Sequence, residues 1–344
     1  MTTSGVEVVD APEPTAAGQP VLGQPPATAP GPEPAPAIET RPEPPPAPEP
    51  MPRSDIVVAL AQLAPRLGDV RANVARHLEE ISAARTAGAD LVVFPELSLT
   101  GYFLKDLVTE SAIRLDGPEL QALAGAARGI DTVVGCILES DDHRFHNASV
   151  YLAGGAVVHT HRKVYLPTYG LFDEARYVAA GSRFRAFPAP LSSARPSRPW
   201  RAGILICEDL WHPSSAYLLA RDGVDLIICP SASPGRGVGR GSELGTAQSY
   251  DVMTRTYAQL FTTYVVYCNR VGYEDGINFW GGSRVVDPEG RTDGNPAGRD
   301  EAMLLHRLDL AALRRARTAN PMLRDERHDI VDAELHRLRH RDRD

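Results

Sequence analysis

Short apolar segments alternate with helical segments from Asp55 onward, and this alternation constrains the fold more than any other feature of the chain. DIVVALAQL, ADLVVFPE, RAGILIC and DLIICPSASP are typical of buried strands. Strands that are almost entirely apolar suit sheets that other layers cover on both faces. The pattern therefore predicts one α/β domain of about 290 residues.

Residues at the ends of these segments locate helices and strand pairs. Asp69 is expected to cap a helix that ends near Gly88. Four apolar residues of that helix share one face: Val70, Val74, Leu78 and Ile81. Pro213 is expected to open a second helix that runs to about Asp222, and a third helix is expected over about 245–261. DTVVGCILE and NASVYLAGG are predicted to be neighbouring strands.

The two ends of the chain differ in composition from its middle. Residues 1–52 hold 16 of the 30 prolines, among Ala, Glu and Gly. Such a segment buries too little apolar surface to offset its ordering entropy, so we predict a disordered Pro/Ala-rich tail, partly in polyproline II conformation. Residues 311–344 interleave arginines with acidic residues, which predicts a charged extension, either solvated or in contact with another subunit. The folded domain is expected over 53–310.

Composition also argues against several classes of function. The formal net charge of -8 disfavours nucleic acid as the main partner. The four cysteines stand far apart, which disfavours a disulfide framework or a zinc site and favours reduced thiols in the cytoplasm. The histidines show no metal-binding spacing, so no metal is expected. No apolar run approaches the roughly 18 residues needed to span a membrane.

Three polar residues stand where apolar strands are predicted to end: Glu96 in LVVFPELSLTGY, Lys163 in HTHRKVYLPTYG and Cys207 in GILICEDLW. Binding sites of α/β sheets gather at the carboxyl ends of strands. Glu96 could then accept the thiol proton, while Lys163 could favour the thiolate and hold an oxyanion. Glu208 and Asp209 can point away from the sulfur if the chain turns sharply at Cys207. The residues alone leave a structural role for this cysteine open.

The segments FPELSLTGY, HRKVYLPTYGLFDEARY and GILICEDLW, followed by SASP and NFWGGSRVVDPEG, resemble the nitrilase, or carbon-nitrogen hydrolase, superfamily. The resemblance covers about 55–309 and is greatest to the glutaminase domain of glutamine-dependent NAD synthetases. It implies a four-layer α-β-β-α sandwich and a catalytic triad of Glu96, Lys163 and Cys207. It also implies a thioester intermediate, ammonia release, no cofactor and a homo-oligomeric assembly.

The same resemblance assigns further residues to the site. Glu174 matches a second glutamate that the family places beside its triad, and the backbone N–H of Glu208 would support the oxyanion. Four residues match positions that line the glutamine pocket of the synthetases: Tyr102, Tyr169, Trp211 and Ser233. Arg236 and Arg240, in the loop PGRGVGRG, could bind a substrate carboxylate through paired hydrogen bonds.

Several functions remain open at this point. The synthetases continue into an ATP-using domain, and no ATP-pyrophosphatase motif occurs here, which favours a free-standing amidase. Its substrate would be a small amide or an N-carbamoyl compound. One alternative is a glutaminase subunit that passes ammonia to a separate partner enzyme. Others are acyl transfer to an amine, or a catalytically silent scaffold whose proline-rich tail recruits its partners.

Overall fold

A computed structural model describes residues 55–191, 194, 198–237 and 244–341. The predicted tail over 1–52, the last three residues and Arg240 lie outside the described residues. The strands are β1 Asp55–Gln62, β2 Leu91–Val93, β3 Ile113–Arg114, β4 Asp131–Glu139, β5 Phe145–Ala153, β6 Ala156–Arg162, β7 Phe187–Ala189, β8 Trp200–Ile204, β9 Leu226–Ser231, β10 Tyr264–Asn269, β11 Val271–Glu274, β12 Ile277–Trp280, β13 Arg284–Val286 and β14 Ala302–Asp309.

Nine helices occur in the described part of the chain. They are α1 Val70–Thr86, α2 Val108–Ser111, α3 Pro118–Ala126, α4 Glu174–Tyr177, α5 Pro213–Arg221, α6 Gly245–Leu260, α7 Leu310–Ala319, α8 Met322–Asp325 and α9 His328–His340. Two 3₁₀ turns add Lys105–Leu107 and Cys207–Trp211. The helices predicted from Pro213 and over 245–261 are confirmed as α5 and α6.

The strands of the described residues form two main sheets. The larger has the order β14-β1-β2-β4-β5-β6, with β3 paired to β4, and the second has the order β13-β10-β9-β8-β7. Strands β1, β2 and β4 run parallel, as do β8, β9 and β10. The predicted pairing of DTVVGCILE with NASVYLAGG is confirmed, because β4 and β5 are antiparallel neighbours.

The hydrophobic core defines four layers. Residues from the facing sides of both sheets share one cluster, among them Val58, Leu60, Ile204 and Ile228. A second cluster joins the outer face of the larger sheet to α1 and α3, through Ile81, Leu120 and Leu123 among others. Helices α5 and α6 cover the second sheet with Leu219 and Ala258. The α-β-β-α sandwich is thereby confirmed.

Helix α1 begins as predicted and packs its predicted apolar face against the core, but that face is not its most deeply buried row. The side chain of Asp69 accepts a hydrogen bond from the Ala72 N–H, as an N-cap does. The deepest row contains Asn73 and His77 as well as Ile81, whereas Val70, Val74 and Leu78 are only half-buried. Polar residues occupy this row because they have buried partners: the Asn73 amide donates to two backbone carbonyls, and His77 contacts Ser98.

The C-terminal helices α7 and α9 differ in how deeply they are buried. Leu310 and Leu313 of α7 are buried in the core between the sheets. Helix α9 has no buried residue. Among the described helices, none has the length and apolar character that crossing a bilayer requires.

Candidate active site

Glu96 lies in the loop that follows β2, fully buried between the two sheets. Gly135 of β4 makes this position possible, since a Cβ there would approach the Leu97 backbone nitrogen to 2.4 Å. Only glycine allows the loop to pack so closely on the strand. Leu97 itself has a φ of 51°, a conformation that side chains rarely adopt. The backbone is thus bent sharply where it presents the carboxylate.

Lys163 follows directly after β6 and is also fully buried. Its Nζ lies 2.7 Å from Glu96 Oε1 and 2.6 Å from Glu174 Oε1. Burial opposes the charge on Lys163, but the carboxylates of Glu174 and Glu96 outweigh it and raise the lysine pKa well above its usual value. We call Glu96, Lys163 and Glu174 the charge cluster; its lysine is a protonated cation at neutral pH.

Further donors fix the carboxylates of the charge cluster. Asn147 Nδ2 lies 2.7 Å from Glu96 Oε1, and the Ala232 N–H lies 2.7 Å from Glu96 Oε2. The Tyr102 hydroxyl donates to Glu174 Oε1. Burial raises the pKa of Glu174, while Lys163 acts in the opposite direction. Asn147 and Lys163, from the larger sheet and its end, therefore hold Oε1 of Glu96, and the loop after β9 of the second sheet holds Oε2.

Cys207 occupies a turn after β8, with only 8% of its surface exposed. Its φ is 46°, in the left-handed region, where a non-glycine residue costs roughly 1–3 kcal/mol and is held by its surroundings. Its Sγ lies 3.1 Å from the Tyr250 hydroxyl. Burial and then the charge of Glu96 raise the pKa of the thiol well above its usual value, against the opposing charge of Lys163. These surroundings favour the neutral thiol over the thiolate.

The two acidic residues after Cys207 take different directions. Asp209 turns away into the protein, where it accepts hydrogen bonds from the backbone of Val164 and Tyr165. Glu208 does not turn away, because it lines the same cavity as Cys207 and accepts from the Tyr169 hydroxyl at 2.9 Å and 3.0 Å. The expectation that both can point away from the sulfur is therefore correct for Asp209 only.

A cavity of about 360 Å³ opens above the cysteine sulfur. We call it the Cys207 cavity; its wall includes Tyr169, Phe172, Glu208, Trp211, Ser233, Arg236 and Tyr250. The structure thus brings three of the four predicted pocket residues to this cavity. The Arg236 guanidinium lies 5.5 Å from the centre of the Phe172 ring.

Tyr102, the fourth predicted pocket residue, lies elsewhere. It lines a separate cavity of about 230 Å³ together with Asn147 and Glu174, and Phe172 borders both cavities. Its hydroxyl donates a hydrogen bond to Glu174, so Tyr102 contacts the charge cluster rather than the Cys207 cavity. The physical reason is the loop after Gly101, which Glu274 holds through the backbone N–H of Tyr102.

Two further side chains of the site were not predicted from the sequence. Asn147 is a polar residue within a buried strand, and this exception to the apolar pattern was an available signal. Tyr250 lies in α6, where nothing in the sequence GTAQSYDVM distinguishes it from a core aromatic residue. In the described part of the chain, no group of three or more His, Cys, Asp or Glu side chains could hold a metal ion.

Fold and site together define an α-β-β-α protein with a cysteine at a strained turn beside a buried glutamate–lysine pair. The model of the carbon-nitrogen hydrolase family matches residues 57–318, and the chain belongs to this family, in the nitrilase superfamily. The glutamine-dependent NAD(+) synthetase of Thermotoga maritima is 35% identical over 274 residues, which are 78% of this chain and 44% of that protein.

Other relatives match over a larger share of their own length. An (R)-stereoselective amidase from a Pseudomonas species is 34% identical over 272 residues, which are 78% of this chain and 91% of the amidase.

A solved structure of the glutamine-dependent NAD+ synthetase from Acinetobacter baumannii has a TM-score of 0.65 and 28% identity, over 75% of this chain and 46% of that one. The chain spans less than half the length of the NAD synthetases named here.

Proposed function

We propose that this protein hydrolyses the C–N bond of a small primary amide through a thioester on Cys207 and releases ammonia. The observation that carries the proposal is the position of Cys207, at the floor of a cavity and within the electrostatic influence of Glu96 and Lys163. A cysteine nucleophile, a carboxylate base and a fixed cation are the groups that amide hydrolysis needs.

The proton and charge transfers follow from this arrangement. Glu96 takes the thiol proton as Cys207 Sγ attacks the amide carbon. An ammonium has three N–H donors, and two of those on Lys163 are directed to Glu96 and Glu174, so the third serves the oxyanion together with the backbone N–H of Glu208. The C–N bond breaks as Glu96 returns the proton to the leaving nitrogen, which departs as ammonia and leaves the thioester.

Water completes the cycle with the same groups. Glu96 takes a proton from a water molecule, whose oxygen attacks the thioester carbon. As the C–S bond breaks, Glu96 returns that proton to the sulfur, which restores Cys207 as a thiol, and the product leaves as a carboxylic acid.

The charges of the cavity wall favour an amide that carries both an amino group and a carboxylate, such as glutamine. Glu208 offers a carboxylate to an amine, and Arg236 offers a guanidinium to a carboxylate. The similarity to glutamine-dependent synthetases supports this choice and also favours a second candidate function, a glutaminase that supplies ammonia to a partner enzyme. The similarity to an amidase supports the free-standing reaction.

Ammonia release from a substrate panel tests the proposal. The panel contains glutamine, asparagine, N-carbamoylputrescine, N-carbamoyl-β-alanine and simple ω-amides, with Cys207→Ala as the control. We expect release from glutamine or a related ω-amide, lost in the variant. Added hydroxylamine would reveal acyl transfer as a hydroxamate product. If the folded wild type released no ammonia from any of these substrates, the proposal would be contradicted and a catalytically silent scaffold would be favoured.

A further inference from the structure

Asp209 is a fully buried carboxylate that accepts four hydrogen bonds. Its Oδ1 accepts from the backbone N–H groups of Val164 at 3.0 Å and Tyr165 at 2.9 Å. Its Oδ2 accepts from the Ile206 N–H at 3.0 Å and from His161 Nε2 at 2.8 Å. Each oxygen thus has two hydrogen-bond partners, which compensate the burial of this side chain.

The donors come from two segments that carry the proposed catalytic residues. Val164 and Tyr165 immediately follow Lys163, and His161 lies two residues before it on β6. Ile206 immediately precedes Cys207 in the turn after β8. One side chain therefore joins the end of a strand in the larger sheet to the cysteine turn of the second sheet.

The turn at Cys207 needs such a restraint. A residue in the left-handed region keeps that conformation only where its surroundings determine it. Asp209 closes this turn on both sides: its own N–H donates to the Ile206 carbonyl at 2.9 Å, and its carboxylate accepts the Ile206 N–H. These two hydrogen bonds join the residue before Cys207 to the residue two positions after it, so the turn is held at both ends.

We propose that Asp209 is a positioning residue that sets the placement of Cys207 relative to Lys163. The proposal rests on the proposed function, because it assigns Asp209 a part in that reaction. Asp209 does not border the Cys207 cavity, so it acts through its neighbours and has no contact with substrate. Its loss should reduce kcat and leave KM nearly unchanged.

The variant Asp209→Asn tests this, with Asp131→Asn as the matched control. The amide keeps the size of the side chain but turns an NH₂ group toward one of the two pairs of donors. Asp131 is also a buried carboxylate that accepts one backbone N–H, from Leu191, and one side-chain donor, the Tyr151 hydroxyl, outside the site. We expect kcat to fall at least tenfold in Asp209→Asn, with KM within threefold, and to stay at the wild-type value in Asp131→Asn.

Alkylation of Cys207 by iodoacetamide, followed by peptide mass spectrometry, gives a second readout that needs no turnover. Removing a nearby negative charge alone would lower the thiol pKa and accelerate alkylation. Loss of positioning predicts the opposite, a rate at least threefold below wild type. This measurement still decides the role of Asp209 if the wild type hydrolyses none of the amides tested.

The measured kcat and alkylation rate decide whether Asp209 has the positioning role. A folded Asp209→Asn protein with wild-type kcat, or with alkylation as fast as wild type or faster, overturns the proposal. If Asp209→Asn does not fold, His161→Ala replaces it, because that variant removes one of the four donors and leaves the carboxylate. Slower alkylation in His161→Ala supports the positioning role, and a wild-type rate contradicts it.

Discussion

The charge cluster and the wall of the Cys207 cavity are built differently. Lys163 and Glu96 are completely buried, and every carboxylate oxygen of Glu96 has a donor. On the wall, Tyr169 is 50% exposed and Trp211 is 38% exposed. A buried ion cluster keeps one geometry, because any displaced charge would lack both water and a partner. We infer that the cluster provides the chemistry and the wall selects the substrate.

The largest effect is expected from Lys163→Met, which removes the cation of the charge cluster. Glu96 and Glu174 would then face each other in a dry site, and stability should fall by about 3–5 kcal/mol. Turnover should fall by about a thousandfold or more, since base and oxyanion support are both disturbed. Ammonia release and urea unfolding measure the two effects.

Lys105→Met is the matched control for that variant. Lys105 Nζ also lies 2.7 Å from a carboxylate oxygen, that of Asp275, but both side chains are more than half exposed. We expect no change in turnover and no measurable change in Tm. Equal losses in the two variants would mean that burial does not distinguish the cluster from a surface ion pair.

Glu174→Gln should have an intermediate effect, because it halves the negative charge around Lys163 while keeping its own size. We expect kcat to fall roughly tenfold to a hundredfold, which is about 1.4–2.8 kcal/mol of transition-state stabilisation. Tyr102→Phe removes the hydroxyl that donates to Glu174 without changing any charge. In that variant kcat should therefore fall less than in Glu174→Gln. A larger loss in Tyr102→Phe would contradict the electrostatic role of Glu174.

Changes to the wall should alter substrate preference and leave the chemical step intact. Arg236→Ala should raise KM for glutamine about tenfold, or about 1.4 kcal/mol, with little change in kcat. The same variant should leave KM unchanged for 4-aminobutanamide, which lacks the carboxylate. Glu208→Gln should show the converse preference, a loss for 4-aminobutanamide and none for glutaramic acid, which lacks the amine. A uniform fall in kcat on every substrate would place these residues in the chemistry instead.

The smallest effect on activity is expected at His77, a buried polar residue outside the site. Burial lowers the pKa of His77 to about 4, against the opposing hydrogen bond to the Asn73 carbonyl. Its neutral form stabilises the fold above pH 6.5, and this contribution is lost as pH falls from 6.5 toward 4, by about 3 kcal/mol in all.

Urea unfolding between pH 7 and pH 4 tests this prediction. His77→Gln should show a shallower loss of stability in acid than the wild type, with unchanged turnover at pH 7. The exposed His143→Gln serves as the control and should follow the wild-type curve. An acid dependence of His77→Gln equal to that of the wild type would show that His77 does not titrate as its burial implies.

The sequence predicts the framework of the site well, because each of Glu96, Lys163 and Cys207 follows the end of a strand. Strand ends are visible in sequence, and parallel strands place their carboxyl ends at one edge. The α/β class and helices α5 and α6 follow from the same periodicity, whereas the four layers are predicted from the resemblance to the nitrilase superfamily. The catalytic roles proposed for Glu96, Lys163 and Cys207 remain predictions, which the measurements above are designed to test.

What the sequence did not reveal depends on contacts between distant segments. Tyr250 reaches the Cys207 sulfur only because α6 packs across the second sheet. Tyr102 faces the charge cluster because Glu274, far along the chain, holds its backbone. Asn73 and His77 break the apolar face of α1 because their buried partners lie in other segments. Such polar contacts depend on individual hydrogen bonds, which periodicity does not encode.

Intact-mass spectrometry of the enzyme quenched during turnover of glutamine tests directly whether Cys207 carries a thioester. We expect a γ-glutamyl adduct on the wild type, located on the Cys207 peptide and sensitive to hydroxylamine as a thioester is. The adduct and ammonia release should both be absent from Cys207→Ala. Ammonia release by Cys207→Ala at a rate near wild type, or an adduct on another residue, would contradict the account.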